Sequence, residues 1–304
     1  GLLIATLAVA TIWAQKIKLI AKPIVVAFML LIIVSSVFVS EIAEAFYICT
    51  PLTSNNWSGY VVYWGQYPGW ISAVFPVGAF NGSYNPVSPT QMGQWVGFGG
   101  VYTDKLIQAG VGYFYPFAMA LLPYPPYLAV SQYFIWYETL PSKPNLVYPV
   151  SPGEYAYTLI ENLSYLNATS PMGENSWLIA MLVTSSQGAL EFSYFAFIPN
   201  YTSEYWGTAD FIVEGAGLYT FNSSNFTTSP LELSIDDAEV NGMNLYYLAY
   251  NSTYDVVPVI EQVNITFLFM QYSINYVPTF ISPPGNFTVI NATTPICPAY
   301  VMSS

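Results

Sequence analysis

The chain contains no histidine and no arginine, so any hydrolytic chemistry it performs falls to carboxyl and amide groups. Without an imidazole there is no Ser-His-Asp or Cys-His machinery. The Asp-Thr-Gly and Asp-Ser-Gly triplets of aspartic proteases do not occur, and neither does a Gly-x-Gly-x-x-Gly turn or a phosphate loop. Two cysteines, Cys49 and Cys297, do not make a zinc site without histidine. Asp236 and Asp237 are adjacent, and adjacent strand residues face opposite ways, so they read as a turn or a solvated edge. Glu138 and Glu214 each close a short aromatic or apolar run, Trp136-Tyr137-Glu138 and Asp210-Phe211-Ile212-Val213-Glu214. Two such carboxyl groups facing each other across a cleft would suit glycoside hydrolysis.

Four segments carry a more specific pattern. They are Asn56-Trp57-Ser58-Gly59; Trp95-Val96-Gly97 followed by Leu106-Ile107-Gln108-Ala109-Gly110; Trp136-Tyr137-Glu138 with Pro141 close behind; and Thr208 to Glu214. In order and spacing this set resembles the glutamic peptidase (eqolisin) family of acid endopeptidases. The resemblance covers roughly residues 55–215. It implies that Gln108 matches the catalytic glutamine and Glu214 the catalytic glutamate. An ionised Glu can take a proton from water and later return it to the leaving nitrogen. A glutamine N–H can hydrogen-bond the tetrahedral oxygen without titrating. Such a pair needs no cofactor and no metal, and its substrates are proteins or peptides. The resemblance also places Trp57, Trp95, Trp136 and Glu138 around the substrate cleft; read alone, the three tryptophans are core aromatics. Two cleft aspartates of the family have no counterpart, since Phe98-Gly99-Gly100 and Phe134-Ile135 stand there, which leaves open a non-catalytic glycosylated surface or adhesion module in which Gln108 and Glu214 do not converge. An acid optimum would require a Glu214 pKa near or below that pH, maintained by hydrogen bonds to the carboxylate.

The elements needed to position these groups read as strands. Short runs rich in Tyr, Val, Thr and Phe alternate with turn signals such as Tyr67-Pro68-Gly69, Ser151-Pro152-Gly153 and Pro283-Pro284-Gly285. Strands are expected over 57–64, 94–98, 128–138, 177–184, 190–198, 210–214, 245–250 and 265–276. Residues 116–127 and 162–175 read as a loop and an insertion. No long amphipathic helical period follows residue 55. The expected fold is all-β: an antiparallel β-sandwich of two packed sheets, concanavalin-like, in one domain over 46–304.

Residues 1–45 are expected to be a signal peptide or membrane anchor helix. Lys16, Lys18 and Lys22 precede an apolar run from Pro23 to Ser40, and Ala43-Glu44-Ala45 offers an exit for cleavage. The same run is long enough to span a bilayer if uncut, which is the only membrane contact expected. An extracellular protein follows, secreted or anchored. Eleven Asn-x-Ser/Thr sequons then predict N-linked glycans, with Asn56 expected bare because it opens a site segment. In an oxidising compartment Cys49 and Cys297 would pair, adding up to about 5 kcal/mol through lost chain entropy. Beyond Ala45 stand fifteen carboxylates and two lysines, a balance that repels nucleic acid.

Overall fold

In the computed structural model, the structure describes residues 51–64, 69–78, 91–114, 133–165, 176–203, 206–215, 219–221, 226–228, 233–250, 254–267 and 270–292. All of these lie in one compact unit, Thr50–Ser304. The expected leader, the Cys49–Cys297 pair and the 116–127 loop lie outside the described residues. Among the described residues no helix is long and apolar enough to cross a membrane.

The unit is an all-β sandwich. Its strands are β1 (Leu52–Ser54), β2 (Trp57–Tyr63), β3 (Trp70–Pro76), β4 (Gln91–Gly99), β5 (Leu106–Phe114) and β6 (Tyr133–Thr139). Then follow β7 (Asn145–Val150), β8 (Tyr155–Asn162), β9 (Trp177–Thr184), β10 (Leu190–Ile198) and β11 (Thr208–Glu214). The last group is β12 (Tyr219–Phe221), β13 (Phe226–Thr228), β14 (Leu233–Val240), β15 (Met243–Asn244), β16 (Asp255–Phe267), β17 (Met270–Pro278) and β18 (Phe287–Asn291). Hydrogen bonds link them along the path β10-β9-β8-β3-β14-β18-β17-β16-β2-β11-β4-β5-β6-β7.

Two layers form because this path folds over at β14. Leu233 to Ile235 pair with β18, whereas Asp236 to Val240 pair with β3. The register slips between Asp236 and Glu239, and Asp237 has φ 48°. A bulge of this kind lets one strand serve two sheets. The adjacent aspartates are therefore the corner of the sandwich, inside the sheet path rather than at a solvated edge. Between the layers, Tyr60, Val96, Phe98, Ile107 and Phe211 from one side meet Ile71, Phe75, Ile160, Ile179 and Met181 from the other, all buried. Removing each large apolar side chain from water contributes roughly 1.5–3 kcal/mol. Strand β8 shows the period of a half-covered sheet, alternating outward and buried residues along its length. In contrast, β11 is buried on both faces up to Val213, because a second cluster of Val61, Trp95, Leu106, Phe134, Trp136 and Ile212 covers its other side.

Two sequence expectations are corrected. Residues Leu245–Tyr250 form a short helix, α1, not a strand. The Asn244 carboxamide oxygen accepts a hydrogen bond from the Tyr247 amide, an N-cap, and Leu245 and Leu248 are buried one helical turn apart. The expected strand over 265–276 is split between β16 and β17, which pair as an antiparallel hairpin.

Candidate active site

Register builds the site. Strands β2, β11, β4, β5 and β6 lie side by side, and paired residues in an antiparallel sheet point to the same face. One row holds Trp57, Glu214 and Gly93. The next holds Gly59, Ile212, Trp95, Gly110 and Trp136. The third holds Val61, Asp210, Gly97, Gln108 and Glu138. All three rows face away from the inter-layer core. A glycine on β4 or β5 interrupts each row and hollows the sheet. A Cβ on Gly93 would sit 3.3 Å from Cζ2 of Trp136, and one on Gly97 would sit 3.2 Å from the Gln108 Cβ.

The hollow is a cavity of about 310 Å³. Among its lining residues are Asn56, Trp57, Gln108, Trp136, Glu138 and Glu214. Gln108 and Glu214 thus face one groove, although they come from strands separated by β4. Trp95 is fully buried beneath it, packed edge-on against Trp57 with ring centroids 5.0 Å apart. Its indole N–H donates to Glu214 Oε2 at 3.0 Å, so it reaches the site from below. Asn56 Nδ2 donates to the other oxygen, Oε1, at 2.7 Å. Glu138 Oε2 accepts a hydrogen bond from Gln108 Nε2 at 2.7 Å.

Desolvation raises the Glu214 carboxyl above the ordinary glutamate range, and hydrogen bonds from Trp95, Trp57 and Asn56 pull it back only in part. The hydrogen bonds that an acid optimum would require are present, but burial outweighs them. Glu138 is also raised, first by burial and further by repulsion from Glu214, against the Gln108 hydrogen bond. The two carboxyl groups therefore feel each other across the cavity.

No family model and no curated protein matches this chain. Among solved structures it is similar to scytalido-glutamic peptidase with a transition state analog inhibitor, at 16% identity and TM-score 0.47. It is likewise similar to that peptidase with a peptide-based transition state analog (16%, TM-score 0.44). A third similar structure is SCP-B, a member of the Eqolisin family of peptidases, in complex with the tripeptide Ala-Ile-His (16%, TM-score 0.43). Each alignment covers 79% of this chain and 99% of the other.

Sequence reasoning assigned no contact to several groups that matter here. Asn56 opens a matched segment and a sequon but carried no assigned contact, yet its amide nitrogen holds Glu214. Leu106, Leu140 and Pro144 supply apolar wall, a role no local pattern announces. Asp210 entered only as part of a matched segment, and it is fully buried.

Proposed function

We propose that this protein is an exported endopeptidase that hydrolyses peptide bonds with Glu214 and Gln108. Ionised Glu214 takes a proton from water as the oxygen adds to the scissile carbonyl carbon. The second N–H of Gln108 hydrogen-bonds the oxyanion. Glu214 then returns the proton to the nitrogen as the C–N bond breaks, releasing one acid and one amine. Asn56 and Trp95 fix the carboxylate, while Glu138 fixes the amide, so neither group must reorganise during the reaction. The observation that carries this reading is the shared cavity, in which a carboxylate held by donors from the β1–β2 turn and from β4 faces a glutamine amide anchored by a second acid.

Because burial raises Glu214, the base ionises above the usual glutamate value of about 4.3. Activity is expected to rise with pH above the ordinary glutamate range rather than to peak below it. The test is digestion of an unfolded protein substrate across acid and neutral pH by the wild type, Glu214→Gln and Gln108→Ala. Loss of the base should cost about 10²–10⁴ in rate. Loss of the amide donor should cost about 10²–10³ in kcat. Undiminished digestion by both variants would exclude the pair.

One observation favours a second reading, glycoside hydrolysis by paired acids: Glu138 and Glu214 line the same cavity and repel each other. That chemistry would leave Gln108 peripheral, whereas its amide occupies Glu138 at 2.7 Å. Polysaccharide cleavage that survives Gln108→Ala would decide for it. Export rests on the leader sequence, and a secreted chain beginning at Phe46 by amino-terminal sequencing is the expected result.

A further inference from the structure

A buried acid in the floor of the cleft has no part in the steps above. Asp210 is fully buried, on the same face and in the same cross-strand row as Gln108 and Glu138. Only Gly97 stands between Asp210 and Gln108 in that row, and glycine puts no side chain there. Two strand spacings put the two backbones roughly 10 Å apart. With no side chain on Gly97, the path between an aspartate and a glutamine on the flanking strands is open over that glycine. Both ends of the gap carry orphaned atoms. Gln108 Oε1 is buried with no hydrogen-bond partner; both Asp210 carboxyl oxygens are buried too, and the one side chain that eases them is the Thr208 hydroxyl, which leaves at least one oxygen unmatched. Neutral oxygens cannot satisfy each other, so one side must supply a proton.

We propose that Asp210 is a positioning residue that stays protonated and donates, directly or through one water over Gly97, to Gln108 Oε1. Gln108 would then be clamped at both ends. Glu138 accepts from its nitrogen, Asp210 donates to its oxygen, and the second N–H is turned into the cleft. The acid's environment agrees. Burial holds Asp210 well above the ordinary aspartate range, and the Thr208 hydroxyl eases its charge only in part. The titratable groups of the surrounding elements are Glu214 on β11, Tyr63 on β2 with Tyr102 hydrogen-bonded to it from the β4–β5 turn, Glu138 on β6, and Asp255 and Glu261 on β16; Asp104 stands in that same turn, and the Lys105 ammonium lies over the Tyr201 ring. The only other acid in Asp210's own row is Glu138, beyond Gln108.

The inference rests on the peptidase reading for its consequence, so the experiment has an arm that does not need activity. Side-chain amide signals of isotopically labelled glutamine, with Gln108 assigned by its Ala variant, are followed from acid to alkaline pH. In the wild type the Gln108 signals should shift as Asp210 ionises; in Asp210→Asn that step should vanish. In the activity arm, Asp210→Val should lower kcat about 10–100-fold with KM little changed. Asp210→Asn, which keeps a donor, should regain most of the loss and lack the wild-type alkaline limb. If Val proves unfolded, the Asn variant and the amide titration still decide. Gln108 signals indifferent to both pH and Asp210→Asn overturn the proposal, as does a folded Asp210→Val with wild-type kcat. An inactive wild type whose Gln108 signals still follow Asp210 sinks the peptidase reading and leaves the clamp standing.

Discussion

At the scale of single residues, the site is a contest between burial and donors at one carboxylate. Burial wins at Glu214, but three side chains limit its margin. Removing a donor should widen it. Trp95→Phe keeps most of the ring that packs under the cleft and deletes the N–H that bonds Oε2. A hydrogen bond to a charged group is worth about 1.5–3 kcal/mol, and one pKa unit corresponds to about 1.4 kcal/mol. The acid limb of kcat/KM should therefore move up by about one to two pH units. An unmoved limb would mean that Glu214 is not the group titrating. Asn56 yields a second expectation. The nitrogen that an oligosaccharyltransferase would modify is the atom that holds Glu214 Oε1 at 2.7 Å. Peptide mapping of the secreted protein should find Asn56 bare even where other sequons are occupied. A glycan there would be incompatible with the carboxylate's observed support.

At the scale of elements, the close approach of β4 and β5 sets the cleft floor, and Gly110 permits it. A Cβ at Gly110 would collide with the Gln94 carbonyl oxygen and come within 2.7 Å of the Trp95 Cα. Those are backbone atoms and cannot swing aside, so Gly110→Ala must part the two strands. Overpacking of this kind costs about 3 kcal/mol or more, roughly 6–12 °C in Tm for a domain of this size. Gly153→Ala is the control. Its φ is +94° but nothing lies within 4 Å, so only backbone strain of about 1–2 kcal/mol is expected. Equal melting losses in the two variants would refute the close-approach argument. The same elements show what could be read in advance. Strands β9 and β10 fall where alternation and flanking turns put them, because their patterns are local. The helix at Leu245–Tyr250 escaped because its tyrosines suit a strand, and its signals were a single Asn cap and two leucines one turn apart. The β16–β17 hairpin escaped because both halves are apolar and nothing in that run marks where one strand ends and the next begins. Motif order singled out Gln108, Glu138 and Glu214 as candidates. Their relation did not follow from it, because the Gln108–Glu138 contact depends on β5–β6 register, and no local pattern writes register.

At the scale of the whole molecule, the buried acids tie stability to pH. Asp210, Glu214 and Glu138 all have carboxyl groups raised chiefly by desolvation. Unfolding returns each to an ordinary value near 4, so from there up to the folded values the native state holds more protons than the unfolded chain. Stability is then full below about pH 4 and falls as pH rises through the folded values. The net charge of −12 at neutral pH acts in the same direction by self-repulsion, with only five lysines to offset seventeen carboxylates. The protein should therefore melt higher at about pH 4 than at pH 7, opposite to proteins whose acids are held down by salt bridges. Asp210→Asn separates the two causes. It removes one carboxylate of seventeen, which barely changes the overall repulsion, but it deletes the most deeply buried titrating group. The difference in Tm between the two pH values should shrink visibly in that variant. If it stays as in the wild type, the acid preference belongs to surface charge, and Asp210 is ionised in the folded protein despite its burial.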